Sequence, residues 1–172
     1  MLKVFISYSH KDETLVSNFI SHIAPLKNNE IISEWYDRKI ETGEEFQIDI
    51  DNNLENADII CLMISSNFLS SIACLKEKDD ALDLRNKKGI RVIPVILSPC
   101  AWSIHKELSN LLAIPTDGKS ITTFVDQNEG WLNAILFVHR KYKHVLPIHL
   151  GSAGIGQEFK NLFQLFKHYV NL

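Results

Sequence analysis

The stretch Ile59-Ile60-Cys61-Leu62-Met63-Ile64 decides the fold of this chain, because it contains six apolar residues in a row. A strand with one face in water alternates apolar and polar residues, whereas a central strand of a parallel sheet is covered on both faces and is apolar throughout. We therefore predict that residues 59–64 form a central strand of a parallel sheet with helices on both faces.

The segments on either side of this run alternate between short β-rich runs and amphipathic stretches as far as residue 143. This alternation predicts an α/β fold, a doubly wound parallel sheet of about five strands in the order 2-1-3-4-5. Asp12 is predicted to cap the first helix and Pro25 to end it. Pro94 removes a donor from the fourth strand, so the neighbouring strand must be short or absent there. The predicted strands are residues 4–6, 31–35, 59–64 and 92–97, with a short fifth near 122–125.

The composition argues against several classes of protein. The chain has 172 residues, 45% of them hydrophobic, which is enough to bury the core of one domain. A net charge of -3 and short basic runs argue against direct binding of nucleic acid. Because the sequence lacks an apolar run of about 20 residues and a signal-peptide pattern, we expect no membrane association. Cys61, Cys74 and Cys100 have no metal or redox spacing, so we expect no metal site and a cytoplasmic location.

The last part of the chain differs from the alternating part, so we predict a domain over residues 1–143 and an appended segment over 144–172. Gly151, Gly154 and Gly156 predict a flexible joint, because they lack the preceding strand and following helix of a phosphate-binding loop. An amphipathic helix is predicted over residues 156–171. Two roles remain open for this helix, docking on the domain or binding a partner protein.

Glu77 is the most unusual residue of the helix predicted over 72–85. On a helical wheel it falls in the middle of an apolar face formed by Ala73, Cys74, Ala81 and Leu84. A carboxylate buried against a core is costly, so it indicates either a compensating partner or a function. The structural alternative is that Glu77 pairs with Lys78 or Arg85, or extends into water.

The predicted topology gives this carboxylate a location. Ligands of a doubly wound sheet bind beyond the carboxyl ends of the strands, where the strand order reverses, here between strands 1 and 3. Strand 1 ends at Ser7-Tyr8-Ser9-His10 and strand 3 at Ser65-Ser66-Asn67, and the helix of Glu77 follows strand 3. The wheel and the topology therefore place Glu77 at one crevice, which favours a function over the ion pair.

Several segments resemble, in the right order, the conserved motifs of the Toll/interleukin-1 receptor (TIR) domain family. Residues 3–12 (KVFISYSHKD) resemble its first box, and residues 35–40 (WYDRKI), with Gly43 and Glu44, resemble its second. Residues 57–58, 65–71 and 74–77 are similar to the catalytic stretch of NAD-cleaving members, and residues 94–102 are similar to bacterial members. The third box of the animal adaptor proteins is not evident. The resemblance covers residues 1–143.

This resemblance implies a flavodoxin-like fold and an NAD+ glycohydrolase that cleaves the nicotinamide–ribose bond, with Glu77 as the catalytic residue. Bond cleavage leaves oxocarbenium-like positive charge on the ribose, which one carboxylate can stabilise. NAD+ is then a substrate, so no cofactor is expected, and the products are nicotinamide and ADP-ribose or a cyclic isomer. The substrate-binding residues implied, with Ser7 and Tyr8 beside the ribose, are Ser7, Tyr8, Tyr36, Arg38, Ser65, Ala73, Cys74 and Trp102.

Ala73 departs from the family pattern, because an aromatic residue usually precedes the cysteine and helps to wall the nicotinamide pocket. Trp102, Tyr8 or Tyr36 could replace that aromatic. Trp102 is our first choice, and burial of its ring in the core is the alternative.

The second box also implies contact between copies. We expect an assembly loop to dock on a neighbouring TIR domain, with self-assembly activating the enzyme in bacterial antiviral defence and a separate sensor or activator as trigger. The residues of this loop are Asp37, Arg38, Lys39, Gly43, Glu44 and Glu45.

Three other functions compete with this hypothesis. A non-catalytic TIR module that mediates protein–protein signalling is the alternative. A phosphoreceiver requires an aspartate at the end of strand 3, where Ser65 stands, so that hypothesis fails. A nucleoside deoxyribosyltransferase is more distant, although it also uses a lone glutamate on a similar sheet.

Overall fold

The sheet and its helices alternate along the chain in this computed structural model, which describes residues 1–36, 44–115 and 118–142. Side chains are described for these residues except 35, 36, 44–48 and 139–142. The strands are β1 (Leu2–Ser7), β2 (Ile32–Tyr36), β3 (Ile59–Ile64) and β4 (Arg91–Ile96). The helices are α1 (Glu13–Asn28), α2 (Glu44–Glu55), α3 (Ser66–Ser70), α4 (Ile72–Lys88), α5 (Lys106–Ser109) and α6 (Gln127–Tyr142). Single 3-10 turns lie at His10–Asp12, Trp102–Ile104 and Ile121–Thr123.

β3 lies inside the sheet, as its composition predicts. All four strands are parallel and follow the order β2-β1-β3-β4, with β3 hydrogen-bonded between β1 and β4. All six residues of β3 are buried, because helices cover both of its faces. The doubly wound α/β prediction is thus confirmed for the four strands and for their order.

The predicted fifth strand near residues 122–125 is wrong. Ile121–Thr123 is a 3-10 turn, and the neighbour of β4 is a single bridge between Val95 and Ile114. The Ile114 N–H donates to the Pro94 carbonyl at 2.9 Å, and the Ile114 carbonyl accepts from the Ile96 N–H at 2.8 Å; these two hydrogen bonds make the bridge. The short neighbour inferred from Pro94 is therefore present, but at another point of the chain.

α1 continues past Pro25, so the predicted end of this helix is also wrong. Pro25 lies inside the helix, which ends at Asn28. A proline removes one intrahelical donor, and here the loss is offset because Leu26 in the following turn is fully buried. The Pro25 carbonyl still accepts a hydrogen bond from the Asn29 N–H, at 3.2 Å.

The chain divides into two compact units, residues 1–138 and 139–172. Of the second unit, the structure describes only the backbone of residues 139–142, the last turn of α6. The predicted segment over residues 144–172, with its glycine joint and its helix, lies outside the described residues. Within the part that is described, no helix has both the length and the hydropathy needed to cross a bilayer.

Candidate functional site

The strand order places a crevice between the carboxyl ends of β1 and β3. The chain leaves β1 toward β2 on one side and leaves β3 toward β4 on the other, so the connections diverge above these two ends. Ser7 ends β1 and Ser65 immediately follows β3. The location predicted for the site therefore exists in the fold.

Ser7 presents a hydroxyl group without a protein partner at this crevice. Its side chain is 1% exposed, and its Oγ has no hydrogen-bond partner among the described residues. Ser7 is the register partner of Leu62, so the two side chains share the sheet face on which Cys74 and Ala81 of α4 pack. A buried hydroxyl left unpaired costs about 1–3 kcal/mol, which makes Ser7 suited to bind a polar ligand group.

The packed face of α4 differs from the predicted one. Cys74, Lys78 and Ala81 are buried, whereas Ala73 is exposed and Glu77 is half-buried. Three residues of helix place Glu77 about 60° around the axis from Cys74, at the border of the packed face and not in its middle. The small Ala73 side chain contributes little to either face, and the long Lys78 stem packs while its ammonium group pairs with Asp79. Glu77 is therefore half-buried at the edge of the packed face and is not enclosed in the core.

The predicted ion-pair alternative involved Lys78, and the structure gives this lysine another partner. Lys78 Nζ lies 2.6 Å from Asp79 Oδ1, and the Asp79 side chain is largely exposed. Arg85, the other suggested partner of Glu77, is exposed one turn before the end of α4.

Asp12 is a site residue that sequence reasoning missed. It stands at the N-terminal position of α1, as predicted, but its side chain makes no capping hydrogen bond there. Instead its carboxylate, 7% exposed, accepts hydrogen bonds from Ser65 Oγ at 2.5 Å and from Asn67 Nδ2 at 2.8 Å. The sequence contained a pattern from which this contact could have been predicted. Asp12 follows strand 1, Ser65-Ser66-Asn67 follows strand 3, and the carboxyl ends of these two parallel strands lie at the same edge of the sheet.

Two carboxylates lie near the Cys74 thiol, and this makes the site electronegative. The pKa of Cys74 is raised to about 11, mainly by burial and to a smaller extent by the negative charges of Glu77 and Asp12, while a hydrogen bond with Ser71 lowers it. Burial also raises the pKa of Cys100, again with a contribution from the Asp12 charge. Both thiols are therefore protonated at neutral pH, and Asp12, Cys74, Glu77 and Cys100 belong to one neighbourhood.

Tyr8 and Trp102, the two described candidates for the aromatic wall, have different surroundings. The buried Tyr8 donates its hydroxyl proton to Glu13 Oε2, at 2.5 Å, on the first turn of α1. Trp102 is half-buried against the core that includes Cys74, and its ring lies against Gly118, where an added Cβ would be 2.7 Å from Trp102 Cζ2. The pKa of Cys100 is lowered by a hydrogen bond with the Trp102 backbone and raised by the charge of Asp12, so the Cys100 thiol lies near both residues.

The remaining predicted site residues belong to the second-box segment. Asp37, Arg38, Lys39 and Gly43 lie outside the described residues, as does the side chain of Tyr36. Glu44 and Glu45 begin α2, but their side chains are likewise not among those described. In the described part of the chain, no cluster of three His, Cys, Asp or Glu side chains is arranged to hold a metal ion.

Comparisons with known proteins agree with this architecture. The family model of the TIR domain matches residues 4–131. An uncharacterized protein, y4lF, of Sinorhizobium fredii is 38% identical over 133 residues, which are 77% of this chain and 41% of that protein. A probable disease resistance protein of Arabidopsis thaliana is 26% identical over 133 residues, again 77% of this chain but 7% of the relative. The chain thus spans less than half the length of these two relatives.

A solved structure shares the fold. The TIR domain of the Toll-related receptor TRR-2 from Hydra magnipapillata superposes with a TM-score of 0.54 at 17% sequence identity. The superposition covers 81% of this chain and 99% of the Hydra domain.

Proposed function

The chain belongs to the TIR domain family, and from that premise we propose that it is an NAD+ glycohydrolase that cleaves the nicotinamide–ribose bond. The observation that carries the proposal is the buried Ser7 hydroxyl at the end of β1, which has no partner among the described residues. The half-buried Glu77 carboxylate, on the helix that follows β3, supports it. Because buried hydroxyls are nearly always hydrogen-bonded, this group calls for a partner, and a bound substrate supplies one in this proposal.

The chemistry needs few protein groups. The C1′–N bond of NAD+ breaks with its electron pair moving to the pyridinium nitrogen, so nicotinamide leaves as a neutral molecule without prior protonation. The ribose is left as an oxocarbenium-like cation, which the Glu77 carboxylate stabilises electrostatically. Water then adds to C1′ and releases a proton, which gives ADP-ribose, whereas attack by a nucleophilic atom of the same molecule gives a cyclic isomer. Ser7 hydrogen-bonds the ribose in this proposal.

The negative charges near the site also favour the positive charge that develops on the ribose during cleavage. Glu77 and Asp12 both act on Cys74, so a ligand in the crevice is close to two carboxylates. Positive charge that develops on the ribose is more stable in such a field than in water, because the surrounding apolar core lowers the effective dielectric constant.

The biological setting proposed is defence signalling in the cytoplasm. The plant relative is named a probable disease resistance protein, which supports a defence role, and we assign the bacterial, antiviral form of that role to this chain. The partners in this setting are NAD+, further TIR domains and a separate sensor or activator, with no direct contact to nucleic acid or membrane.

Nicotinamide release tests the function. The protein at high concentration is incubated with NAD+, and products are separated by chromatography, beside Glu77→Gln and Asp83→Asn. Asp83 is exposed on the same helix and pairs with Lys87, so it controls for loss of one α4 carboxylate. We expect release by the wild type and by Asp83→Asn, and a loss of at least about 100-fold in Glu77→Gln, in the range of a lost transition-state electrostatic contact. Equal rates in wild type and Glu77→Gln would contradict the assignment, and no release at all would favour the non-catalytic signalling module.

A further inference from the structure

Asp12, at the N-terminus of α1, bonds the segment after β3 through a carboxylate that α1 does not use for capping. We propose that Asp12 is a positioning residue for the reaction: it holds the turn between β3 and α3 and, through that turn, the start of α4 that carries Glu77. The inference rests on the function proposed above, and it adds a residue to which neither the comparisons nor the first-box resemblance gives a role.

Both carboxylate oxygens of Asp12 are engaged by the turn after β3. Oδ2 accepts from Ser65 Oγ, Oδ1 accepts from Asn67 Nδ2, and Ser65 Oγ itself accepts from the Phe68 N–H at 3.0 Å. A chain of hydrogen bonds therefore runs from the backbone of α3 to the start of α1. Because Asp12 is buried, loss of its carboxylate would leave two donors without an acceptor and would release the turn.

The path from this turn to Glu77 is short and hydrogen-bonded throughout. α3 and Ser71 alone separate the turn from α4. The Ser71 N–H donates to the Phe68 carbonyl at 3.1 Å, and Ser71 Oγ accepts from the Cys74 N–H at 3.3 Å. Glu77 follows Cys74 by one turn of the helix, so movement of the β3–α3 turn changes where Glu77 stands relative to Ser7 on β1.

Three variants separate positioning from charge and from general stability. Asp12→Ala removes both hydrogen bonds. Asp12→Asn removes the charge but keeps both bonds, because its Oδ1 accepts from Ser65 Oγ and its Nδ2 donates to Asn67 Oδ1 after the Asn67 amide flips. Asp126→Ala is the matched control, since the Asp126 carboxylate also accepts two hydrogen bonds next to a helix, from the N–H and the Nδ2 of Asn128 at 2.9 Å each, at the start of α6.

Steady-state kinetics of nicotinamide release, corrected for the folded fraction, give the first test. A displacement of about 1 Å can lower a rate about 100-fold, so we expect Asp12→Ala to lower kcat at least about tenfold with KM changed less than about twofold. Asp12→Asn should stay within about threefold of the wild type, and Asp126→Ala should keep the wild-type kcat. An unchanged kcat in Asp12→Ala, or an equal loss in Asp12→Asn, overturns the inference.

Hydrogen exchange measured by mass spectrometry gives a test that does not depend on the reaction. If Asp12 holds the turn, Asp12→Ala speeds exchange in peptides covering residues 65–77 and leaves those of β3 and α6 unchanged. Exchange that is unchanged at residues 65–77, or faster everywhere, overturns the inference even if the protein releases no nicotinamide. A failure of the proposed function appears instead as a wild type that is inactive while the local exchange effect persists.

Discussion

At the residue scale, the hydroxyls at the ends of β1 and β3 have opposite energetic roles. Ser65 Oγ donates to Asp12 and accepts from the Phe68 N–H, so it stabilises the turn at the site. Ser7 Oγ is equally buried but has no partner among the described residues. Removal of the Ser65 hydroxyl is therefore expected to destabilise the protein, whereas removal of the Ser7 hydroxyl is not. This difference distinguishes a structural hydroxyl group from one that is available to a substrate.

Replacing Ser7 by alanine should lower activity without lowering stability. Removal of a buried, unpaired hydroxyl relieves a desolvation penalty of about 1–3 kcal/mol, so the melting temperature should be equal or higher. If Ser7 binds the ribose, kcat/KM for NAD+ should fall about tenfold, as for loss of one hydrogen bond to substrate. Ser65→Ala is the control, with a free energy of unfolding expected to fall by about 1–2 kcal/mol. Ser7→Ala that melts lower and retains full activity would show a structural hydroxyl.

At the scale of elements, the segment after β4 determines whether an aromatic ring reaches the site. The 3-10 turn Trp102–Ile104 presents the Trp102 ring to Gly118, whose φ of +67° suits glycine. The ring is half-buried against the core that contains Cys74. Both roles predicted for Trp102, packing and walling the nicotinamide pocket, are compatible with this position, so a displacement of the ring is the decisive experiment.

Gly118→Ala should displace this ring, and Gly89→Ala is its matched control. Both glycines have positive φ, +73° at Gly89, but a Cβ at Gly89 meets nothing within 4 Å, whereas one at Gly118 would overlap Trp102. Each substitution should destabilise by about 1 kcal/mol through backbone strain, and Gly118→Ala by more because of the overlap. If Trp102 walls the pocket, only Gly118→Ala, like Trp102→Ala, lowers nicotinamide release per folded molecule. Unchanged release at reduced stability would assign Trp102 to the core.

At the scale of the whole molecule, we propose that the enzyme acts as one member of an assembly. The second-box segment carries both signs of charge, on Arg38, Lys39, Glu41, Glu44 and Glu45, of which Glu44 and Glu45 begin α2. Complementary patches of this kind suit a contact that repeats between copies, because opposite charges dock in register. Self-assembly would place the activity of the chain under the control of its concentration.

Specific activity should therefore rise steeply with protein concentration or crowding. We expect charge reversal at Arg38 or Glu44 to suppress the rise, measured as nicotinamide released per molecule in a dilution series beside light scattering. Lys87→Glu, a reversal at an exposed position of α4, should leave the rise intact. A specific activity that is constant over about a hundredfold range of concentration would indicate a self-sufficient monomer.

Local pattern was sufficient to predict much of this protein. The apolar run of β3 gave its burial and its parallel neighbours, and the strand order derived from it located the crevice between Ser7 and Ser65. Burial of a strand or helix depends on which of its side chains share a face, and the spacing of apolar residues within the segment determines this. Such features can therefore be predicted from each segment alone. The same logic placed Glu77 on the helix beside the crevice.

The tertiary structure alone decided which groups meet at the site. Asp12 bonds Ser65 and Asn67 across 53 and 55 residues of sequence, and no local pattern encodes a hydrogen bond between segments so far apart. The wheel of α4 misjudged Ala73 and Lys78 for a related reason. A helix packs the face that its neighbours cover, and a long lysine stem can lie in that contact while a small alanine remains outside it. The hydrogen-bond partners of Asp12 depend on the assembled sheet, because the segments that follow β1 and β3 become neighbours only when the two strands pair.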